Sequence, residues 1–597
     1  MRYLGVASAL GLLLTLTTTA PAYSDNKPDI VIIVVDALRP DHLGCYGYER
    51  PTSPRIDEFA ASSTLFRTAI AQAPWTKGSL SSMFTSLYSF QHGVTHWESV
   101  MPDTMVTLAE ILHVAGYSTG AIMNMIGLGG RFEVLQGFDE VDEKLKHRRG
   151  AVNTTGDAVA FMTRTSRPHF LLVHYFDAHS PYRPPDGYTD LILGEHETGR
   201  AANPGGHGAD ANDLADDAGE DGEDKYAKIL AYDACIRYVD EAIGAFLNFL
   251  TREGIMDNAL IIITADHGES LGEHDLYGHG GDAYEDAIRV PLIIRFPRQH
   301  AGGNVIEAQV RHIDLFPTIL GAAGLADDRH REGTSLTPLI MGKQRNQGPG
   351  KFFPLDAAFC DCTISAIQGK LALRTAAYKA IFDPLTYLAE IYDMKNDPME
   401  TLNLFDRHIP GADSLLAMTH RVPSAALPGW RIAFTGLPDT RFRAALEVPR
   451  QAAFTKVGVS TRMAKDATVT MSPDSASLAV EVITTRAQVV RGRATQVIYF
   501  DTEPPDAAVA FRIEKHRDDL PAVVSVGSIG KRESGDRFVL EPAQATGLSE
   551  DLMRGGAVDM SQASIWYMHG RRPALDRPTA EMTPEEIKRL KALGYLQ

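Results

Sequence analysis

The sequence predicts an α/β protein with a mostly parallel sheet covered by helices on both faces, followed by a β-rich domain. Three mostly apolar runs, residues 30–35, 170–175 and 259–264, are typical of strands buried on both faces of a sheet. Between the second and third runs, apolar residues recur at the spacing of one helix face: Ile236, Val239, Ile243, Phe246 and Leu250. Because strands alternate with helices, we expect a mostly parallel sheet.

The chain of 597 residues divides into four predicted parts. Residues 28–406 carry the strand and helix patterns and form the predicted catalytic domain. Within this domain, residues 205–224 are rich in Gly, Asp and Glu, which predicts a solvated insertion. A calcium-binding loop is the alternative, but the acidic residues do not have the spacing of a known ligand pattern. Short alternating runs predict a β-rich accessory domain at 407–560, and a capping box at Thr583 and Glu586 predicts a C-terminal helix at 580–597.

The N-terminus predicts export. Residues 1–22 combine a basic start, an apolar run and a small-residue site at Ala20-Pro21-Ala22, which is typical of a secretory signal peptide. An uncleaved anchor is the alternative. No other segment approaches the roughly 18 apolar residues of a membrane span, so no integral membrane domain is expected. A net charge of −18 argues against nucleic acid as a partner.

Two motifs at predicted strand ends point to a metal site. Asp36 follows the first apolar run, and Asp266-His267 follows the run at 259–264. Ligand sites in open parallel sheets form outside the carboxyl ends of the strands. Carboxylate with imidazole suits Zn or Mn, and carboxylates also suit Ca or Mg, so one divalent ion of open identity is predicted. Gly268 would permit close backbone approach.

Thr76 is the candidate nucleophile. The apolar spacing of Leu80, Met83 and Phe84 predicts a helix that begins near Thr76. The free N–H groups and the dipole of a helix start favour an anion, and a hydroxyl bound to a cation could ionise and attack phosphorus or sulfur. The alternative is that Thr76 only caps the helix.

His179 is a second candidate beyond a predicted strand. It follows the run at 170–175 in the string Asp177-Ala178-His179-Ser180-Pro181. Its imidazole could bind a substrate oxygen or protonate the leaving group, with a purely structural histidine as the alternative.

The order of these motifs resembles the alkaline phosphatase superfamily in its sulfatase branch. The resemblance covers roughly residues 28–404. It is carried by these strings, in chain order: Gly44-Cys45-Tyr46-Gly47 after Asp36, the Thr76 helix with Gln91-His92-Gly93-Val94, Gly116-Tyr117-Ser118-Thr119, Asp177-Ala178-His179, Asp266-His267-Gly268-Glu269, and residues 391–400.

The resemblance implies roles for particular residues. It implies metal ligands at Asp36, Asp266 and His267, and it places Thr76 on the metal as a nucleophile that forms a covalent intermediate. It also implies oxyanion contacts from three side chains: Asn124, His179 and His279.

The chain departs from the sulfatase pattern at several positions. Thr76 stands where sulfatases have the residue that is oxidised to formylglycine, and Ala37 replaces the second Asp of the usual pair. Asn124 and Ile126 stand where Lys and His are usual, and His279 stands where many members have Lys. A site with threonine at this position instead resembles the phosphodiesterase branch and the phosphoethanolamine- or phosphoglycerol-transferase branches of the superfamily. Because Pro181 occupies the position of a second-metal histidine, one metal site is expected.

The sequence therefore predicts an exported, metal-dependent hydrolase of phosphate or sulfate esters with Thr76 as nucleophile. The expected partner is an anionic ester, such as a glycan or an envelope component. One alternative is a sulfuric ester hydrolase that works without formylglycine. The other is a catalytically inactive envelope- or glycan-binding protein, which the retained set of Asp36, Asp266 and His267 argues against.

Overall fold

A computed structural model describes the chain in segments. These are residues 27–125, 127–143, 149–193, 222–299, 301–345, 351–362, 369–383, 389–407, 409–419, 429–436, 441–459, 467–483, 489–490, 493–504, 507–513, 524–526, 531–534, 537–540 and 563–570. The predicted signal peptide, the C-terminal helix, Ile126 and most of the acidic insertion lie outside them. The last residues of that insertion instead begin a helix at Gly222.

A large mixed sheet forms the centre of the N-terminal part. Its nine strands run in the order β10-β2-β9-β6-β1-β5-β3-β4, with β11 also paired to β2. With the separate β7–β8 pair, the bounds are β1 (Asp29–Val35), β2 (Thr64–Ile70), β3 (Ser118–Met123), β4 (Glu140–Glu143), β5 (His169–Tyr175), β6 (Ala259–Thr264), β7 (Ser270–Leu271), β8 (Tyr277–Gly278), β9 (Arg289–Arg295), β10 (Val305–Ile306) and β11 (Val310–Arg311).

The three strands predicted from sequence are neighbours in this sheet. β1 pairs in parallel with both β5 and β6, and every residue of the three strands is buried. Strands β3 and β4 continue the parallel set, whereas β9 is antiparallel to β6. The prediction of a mostly parallel, doubly covered sheet is confirmed, because strands buried on both faces need a helix layer on each side.

Helices provide those two layers. One set, α1, α5 and α6, packs together, and α2 packs with α4 and α8. The described helices are α1 (Pro54–Ala61), α2 (Thr76–Thr85), α3 (Ser89–His92), α4 (Leu108–Val114), α5 (Ala151–Arg164), α6 (Gly222–Arg252), α7 (Glu285–Ile288), α8 (Leu315–Ala322), α9 (Thr337–Ile340) and α10 (Pro410–Thr419). The apolar face predicted between residues 236 and 250 lies on α6 and is buried in the core. No helix among the described residues has both the length and the apolar character needed to cross a bilayer.

A smaller antiparallel sheet follows. Its strands are β12 (Ala358–Asp361), β13 (Leu371–Arg374), β14 (Tyr378–Phe382) and β15 (Ala389–Asp393). Leu415 and Leu416 of α10 belong to the hydrophobic core of this sheet. The predicted boundary near residue 407 therefore precedes a helix that packs on the catalytic side, and the division into domains stays a prediction.

The C-terminal part is β-rich, as predicted. Two six-stranded sheets contain β16 (Gly429–Gly436), β17 (Arg441–Glu447), β18 (Ala453–Val459), β19 (Ala467–Met471), β20 (Ser477–Ile483), β21 (Val489–Val490), β22 (Arg493–Glu503), β23 (Val509–Ile513), β24 (Val524–Val526), β25 (Lys531–Ser534), β26 (Arg537–Leu540) and β27 (Ala563–Gly570). Trp430 and Phe500 of one sheet share a buried core with Leu446 and Val480 of the other. A core shared between two sheet faces is typical of a β-sandwich.

Candidate metal centre and active site

The predicted ligands meet at one edge of the large sheet. Asp36 follows β1 directly, and Asp266 and His267 follow β6 by two and three residues. Since β1 and β6 are parallel neighbours, their carboxyl ends lie side by side. All three side chains are fully buried. Nε2 of His267 lies 3.3 Å from Asp36 Oδ1 and 3.6 Å from Asp266 Oδ2.

Gly268 fixes the course of the chain after these ligands. Its N–H donates to the carbonyl of Ala287 at 2.8 Å. A Cβ atom at this position would lie only 1.9 Å from the carbonyl oxygen of Asp286. The expectation that Gly268 permits close backbone approach is confirmed, because no side chain fits there.

Thr76 lies at the same centre. It is the first residue of α2, and the residue in the N-cap position is Trp75. Oγ1 of Thr76 lies 3.3 Å from Nε2 of His267, and its side chain is fully buried. The helix start therefore presents the hydroxyl to the carboxylate and imidazole groups, and the alternative of Thr76 as the N-cap residue is wrong.

Side chains of α2 hold the helix against the centre. The Ser79 hydroxyl donates to the carbonyl of Asp266 at 2.6 Å and lies 3.3 Å from Nδ1 of His312. Further along the helix, Ser82 Oγ lies 3.0 Å from Nε2 of His92. These contacts give Ser79, Ser82 and His92 a positioning role.

His174 was not singled out as a site residue in the sequence. It lies one residue before the end of β5, opposite Val34 of β1, and is fully buried. Its Nε2 lies 3.5 Å from Asp36 Oδ2 and 3.6 Å from Asp266 Oδ2. The available signal was an imidazole near the end of an otherwise apolar strand that is predicted to be buried.

Burial and charge set the protonation of the centre. Burial by itself would raise the pKa of Asp266, but His267 and His174 outweigh it and hold that pKa well below its usual range. Burial lowers the pKa of His267 to about 4. At neutral pH the pair is therefore a carboxylate beside a neutral imidazole, which are the forms that bind metal ions.

The two other candidate histidines lie beside the centre. The ring centroids of His267 and His279 are 4.1 Å apart, and those of His179 and His279 are 4.8 Å apart. His279 Nδ1 lies 2.9 Å from Glu269 Oε1, so Glu269 orients the ring. The sequence motifs did not predict this role for Glu269. Burial lowers the pKa of His179 well below its usual value, which keeps the imidazole neutral.

Asn124 has a different set of contacts. Its side-chain amide donates to the carbonyl of Arg149, and its Oδ1 accepts from the Arg149 N–H at 3.2 Å. These bonds give Asn124 a structural role in holding the segment at Arg149. Its assignment as an oxyanion contact stays a prediction, as do those of His179 and His279.

The residues present fit one divalent ion. His267 Nε2 lies within 3.6 Å of a carboxylate oxygen of both Asp36 and Asp266, so one imidazole and two carboxylates meet here. This mixture of oxygen and nitrogen donors suits divalent cations. Oδ2 of Asp266 is buried, makes no hydrogen bond of ordinary geometry among the described residues and faces Nε2 of His267, which suits a metal ligand.

Two family models match this part of the chain. The Sulfatase model matches residues 28–325, and the model described as N-sulphoglucosamine sulphohydrolase, C-terminal, matches residues 272–418. Among curated proteins, the uncharacterized sulfatase YidJ of Escherichia coli is 27% identical over 432 residues, covering 64% of this chain and 84% of that protein. An N-acetylglucosamine-6-O-sulfatase of Bacteroides thetaiotaomicron is 23% identical over 470 residues, covering 64% of this chain and 83% of that protein.

Solved structures agree on the fold. One protein, in complex with its substrate D-glucosamine-2-N,6-O-disulfate, aligns with a TM-score of 0.55 at 22% identity over 67% of this chain and 98% of that chain. The phosphonate monoester hydrolase of Agrobacterium radiobacter aligns with a TM-score of 0.53 at 20% identity over 67% of this chain and 95% of that chain.

The family models and the curated sulfatases identify a hydrolase of the alkaline phosphatase superfamily that acts on ester bonds, and the fold agrees with that class. Within that superfamily, the chain belongs to the sulfatase family. The resemblance read from the motifs is thereby confirmed.

Proposed function

We propose that this protein is an exported, metal-dependent hydrolase of phosphate or sulfate esters in which Thr76 is the nucleophile. One observation carries the proposal. The buried Thr76 hydroxyl lies 3.3 Å from His267 at the start of α2, beside the carboxylates of Asp36 and Asp266. A hydroxyl in this setting is a candidate for ionisation, and the helix start favours the anionic ester.

The residues have distinct parts in this reaction. Asp36, Asp266, His267 and Thr76 would hold the metal, which when bound supplies positive charge that favours the ionised hydroxyl. Thr76 Oγ1 forms a bond to phosphorus or sulfur while the bond to the leaving oxygen breaks, and the leaving alcohol takes up a proton. Water then attacks the threonyl ester, and Thr76 recovers its proton.

The histidines complete the proposed site. Glu269 holds His279 with its ring against that of His267. His179 stacks on Phe176 with centroids 4.4 Å apart, which fixes its orientation. We assign both imidazoles to contacts with substrate oxygens and to proton transfer with the leaving group, for which positioned histidines are suited.

Two lines of support bear on the substrate. Relatives include an N-acetylglucosamine-6-O-sulfatase and a multifunctional alkaline phosphatase superfamily protein. Threonine cannot supply the aldehyde hydrate of a formylglycine sulfatase, which favours phosphorus. We therefore propose an anionic ester on a glycan or envelope component, with phosphate ahead of sulfate.

Purified full-length protein, assayed with aryl phosphate, phosphodiester, phosphonate monoester and sulfate ester substrates, tests this proposal. We expect Thr76→Val to lose at least about 100-fold in kcat because the nucleophile is gone. Thr76→Ser keeps a hydroxyl and should retain measurable activity. Thr85→Val is the matched control, because Thr85 is a buried threonine of the same helix that donates to the carbonyl of Ser81.

Three outcomes would change the assignment. Full activity of Thr76→Val would remove Thr76 as nucleophile. Turnover of sulfate esters alone would favour the second candidate, a sulfuric ester hydrolase that works without formylglycine. Activity that survives complete metal removal would contradict metal dependence.

Export is tested separately, because it concerns residues 1–22 alone. We expect the mature protein to begin after the small-residue site that ends at Ala22 and to be recovered outside the cytoplasm. N-terminal sequencing of the fractionated protein measures this. An intact Met1 in the cytoplasmic fraction would contradict export.

A further inference from the structure

We propose that His174 is a metal ligand and that the centre is a two-histidine, two-carboxylate site selective for a transition-metal ion of the Zn²⁺ class over Ca²⁺ and Mg²⁺. The inference rests on the metal dependence in the proposed function and deepens it. It adds a ligand to the site and narrows the identity of the ion.

The position of His174 follows from the pairing of three strands. β5 lies directly beside β1, and β1 lies between β5 and β6. In that register His174 stands opposite Val34, two residues before Asp36. Its imidazole therefore reaches the same edge of the sheet as the ligands that follow β1 and β6, and it is fully buried there.

Two imidazoles approach the same pair of carboxylates. His174 Nε2 lies 3.5 Å from Asp36 Oδ2 and 3.6 Å from Asp266 Oδ2. His267 Nε2 lies 3.3 Å from Asp36 Oδ1 and 3.6 Å from Asp266 Oδ2. One donor atom each from Asp36, His174 and Asp266 lies within 4.8 Å of the others.

These separations suit donors around one small ion better than they suit hydrogen bonds. Ligands that bind Zn²⁺ at about 2.0–2.1 Å with near-tetrahedral angles lie about 3.3–3.4 Å from one another, and Zn²⁺ can expand to five ligands, which leaves a place for Thr76. Hydrogen bonds between nitrogen and oxygen are shorter, at about 2.7–3.2 Å. Neither ring nitrogen of His174 makes a hydrogen bond of ordinary geometry among the described residues, although carboxylates of Asp36 and Asp266 face Nε2 at 3.5 and 3.6 Å. A buried imidazole without such a bond is costly, and a bound ion would satisfy Nε2.

The donor set determines which ion is preferred. Imidazole nitrogen suits Zn²⁺ and other transition ions, whereas Ca²⁺ takes six to eight oxygen ligands and Mg²⁺ keeps several waters. Ala37 follows Asp36 and offers only its backbone N–H, which donates to Asp266 Oδ1 at 3.3 Å. That bond leaves Oδ2 of Asp266 as the oxygen facing both histidines.

Metal binding to the full-length, metal-free protein tests the inference. Isothermal titration with Zn²⁺, Mn²⁺, Ca²⁺ and Mg²⁺ measures affinity, and the visible absorption spectrum of bound Co²⁺ reports the ligands. We expect one Zn²⁺ per chain, bound more tightly than Ca²⁺ or Mg²⁺. We expect His174→Asn to weaken Zn²⁺ binding by about 100-fold and to change the Co²⁺ spectrum. Losing a group that only supports a metal ligand already costs up to about 100-fold in metal affinity.

One further variant serves as a control and another as a replacement for the test variant. His169→Asn is matched, because His169 is a buried histidine of the same strand at the opposite edge of the sheet, 3.0 Å from Asp29. It should leave Zn²⁺ affinity and the Co²⁺ spectrum unchanged. If His174→Asn does not fold, His174→Gln is measured in its place, with folding judged by circular dichroism before metal is added.

The outcomes separate this inference from the proposed function. A folded His174→Asn with wild-type Zn²⁺ affinity and an unchanged Co²⁺ spectrum would overturn His174 as a ligand while leaving a metal-dependent Thr76 enzyme intact. Tighter binding of Ca²⁺ or Mg²⁺ than of Zn²⁺ by the wild type would overturn the selectivity. Failure of the wild type to bind any of these ions would overturn both proposals.

Discussion

Tyr232 of α6 controls the shape of the turn that follows Asp36. Ala37 has a φ of 58°, in the left-handed region that alanine seldom adopts. The Tyr232 hydroxyl donates to the carbonyl of Ala37 at 2.7 Å and accepts from the N–H of Arg39 at 2.9 Å. A single buried side chain thus bridges the turn and sets the direction in which Asp36 leaves β1.

Tyr232→Phe should weaken the metal site without unfolding the protein. The substitution removes two buried hydrogen bonds, which costs about 1–3 kcal/mol, and it frees the turn that carries Asp36. We expect weaker metal binding, measured by titration calorimetry. Tyr188→Phe is the control, because it removes a hydroxyl that bonds to Glu241 of the same helix. Equal metal affinity in Tyr232→Phe and the wild type would contradict the positioning role.

His312 makes the fold sensitive to acid. Burial lowers its pKa to about 4, and its ring lies 3.0 Å from Thr264 Oγ1. An unfolded histidine titrates near 6.5, so between about pH 6.5 and 4 the unfolded chain binds a proton that the folded chain does not. The stability contributed by neutral His312 is therefore complete above about pH 6.5 and declines as the pH falls, by up to about 1.4 kcal/mol per pH unit.

His312→Gln should reduce the slope of the free energy of unfolding with pH by the amount that one bound proton contributes. Urea unfolding of the metal-free protein at several values between pH 4.5 and 7.5 measures it, since metal binding would add its own pH dependence. The difference between wild type and variant isolates His312 from the other buried histidines. Parallel pH profiles would show that His312 does not titrate on unfolding in this range.

At the scale of elements, α2 depends on close packing under its first turn. A Cβ atom on Gly78 would lie 2.7 Å from the indole of Trp75 and 2.9 Å from Cβ of Ala73. Trp75 is itself buried and packs against Trp97 with ring centroids 5.2 Å apart. The indole has no room to retreat, so the helix start that carries Thr76 is fixed by this packing.

Gly78→Ala should therefore displace the start of α2. We expect a loss of stability of about 1–3 kcal/mol from overpacking and a fall in kcat, because Thr76 moves with the turn. Gly156→Ala is the matched control, since Gly156 is exposed on α5 and a Cβ there meets nothing within 4 Å. That control should gain about 0.5–1 kcal/mol from helix propensity. Thermal unfolding and steady-state kinetics measure both; a neutral Gly78→Ala would contradict the argument.

At the scale of the whole molecule, a buried ion network joins the small sheet to the large one. Lys379 of β14 lies 2.7 Å from Glu400 and 3.4 Å from Glu285 of α7. Burial by itself would raise the pKa of Glu285, but Arg374 and Lys379 hold it at about 2. Helix α7 follows directly after the segment that carries Gly268 and His279. Because Lys379 of the small sheet contacts Glu285 of α7, the small sheet supports this side of the site.

Lys379→Met should destabilise the protein by about 3–5 kcal/mol, because buried Glu400 loses its cation and Glu285 keeps Arg374 as its ion-pair partner. Arg252→Met is the control, since Arg252 forms an exposed pair with Glu253 at 3.1 Å and should change stability by less than about 1 kcal/mol. Differential scanning calorimetry compares them. A loss for Lys379→Met no larger than for the control would show that the network does not hold the two sheets together.

The sequence predicted those features that depend on local pattern. The central strands were recognisable from their apolar runs, and Asp36 and Asp266 from their place after strands. His174 was missed because it lies inside a run, and only the register of β5 on β1 brings it to the carboxylates. Asn124 was assigned by position in a motif, but its contacts with Arg149 depend on a distant segment that the motif does not contain.

The order of the strands also has a consequence during synthesis of the chain. β1 is made first, yet its two neighbours in the sheet, β5 and β6, come much later, and 229 residues separate Ala37 from Asp266. A nascent chain therefore cannot assemble this centre until β6 has left the ribosome and joined β1. The proposed metal ion could bind only after that pairing, so it would be drawn from the compartment in which β6 joins β1.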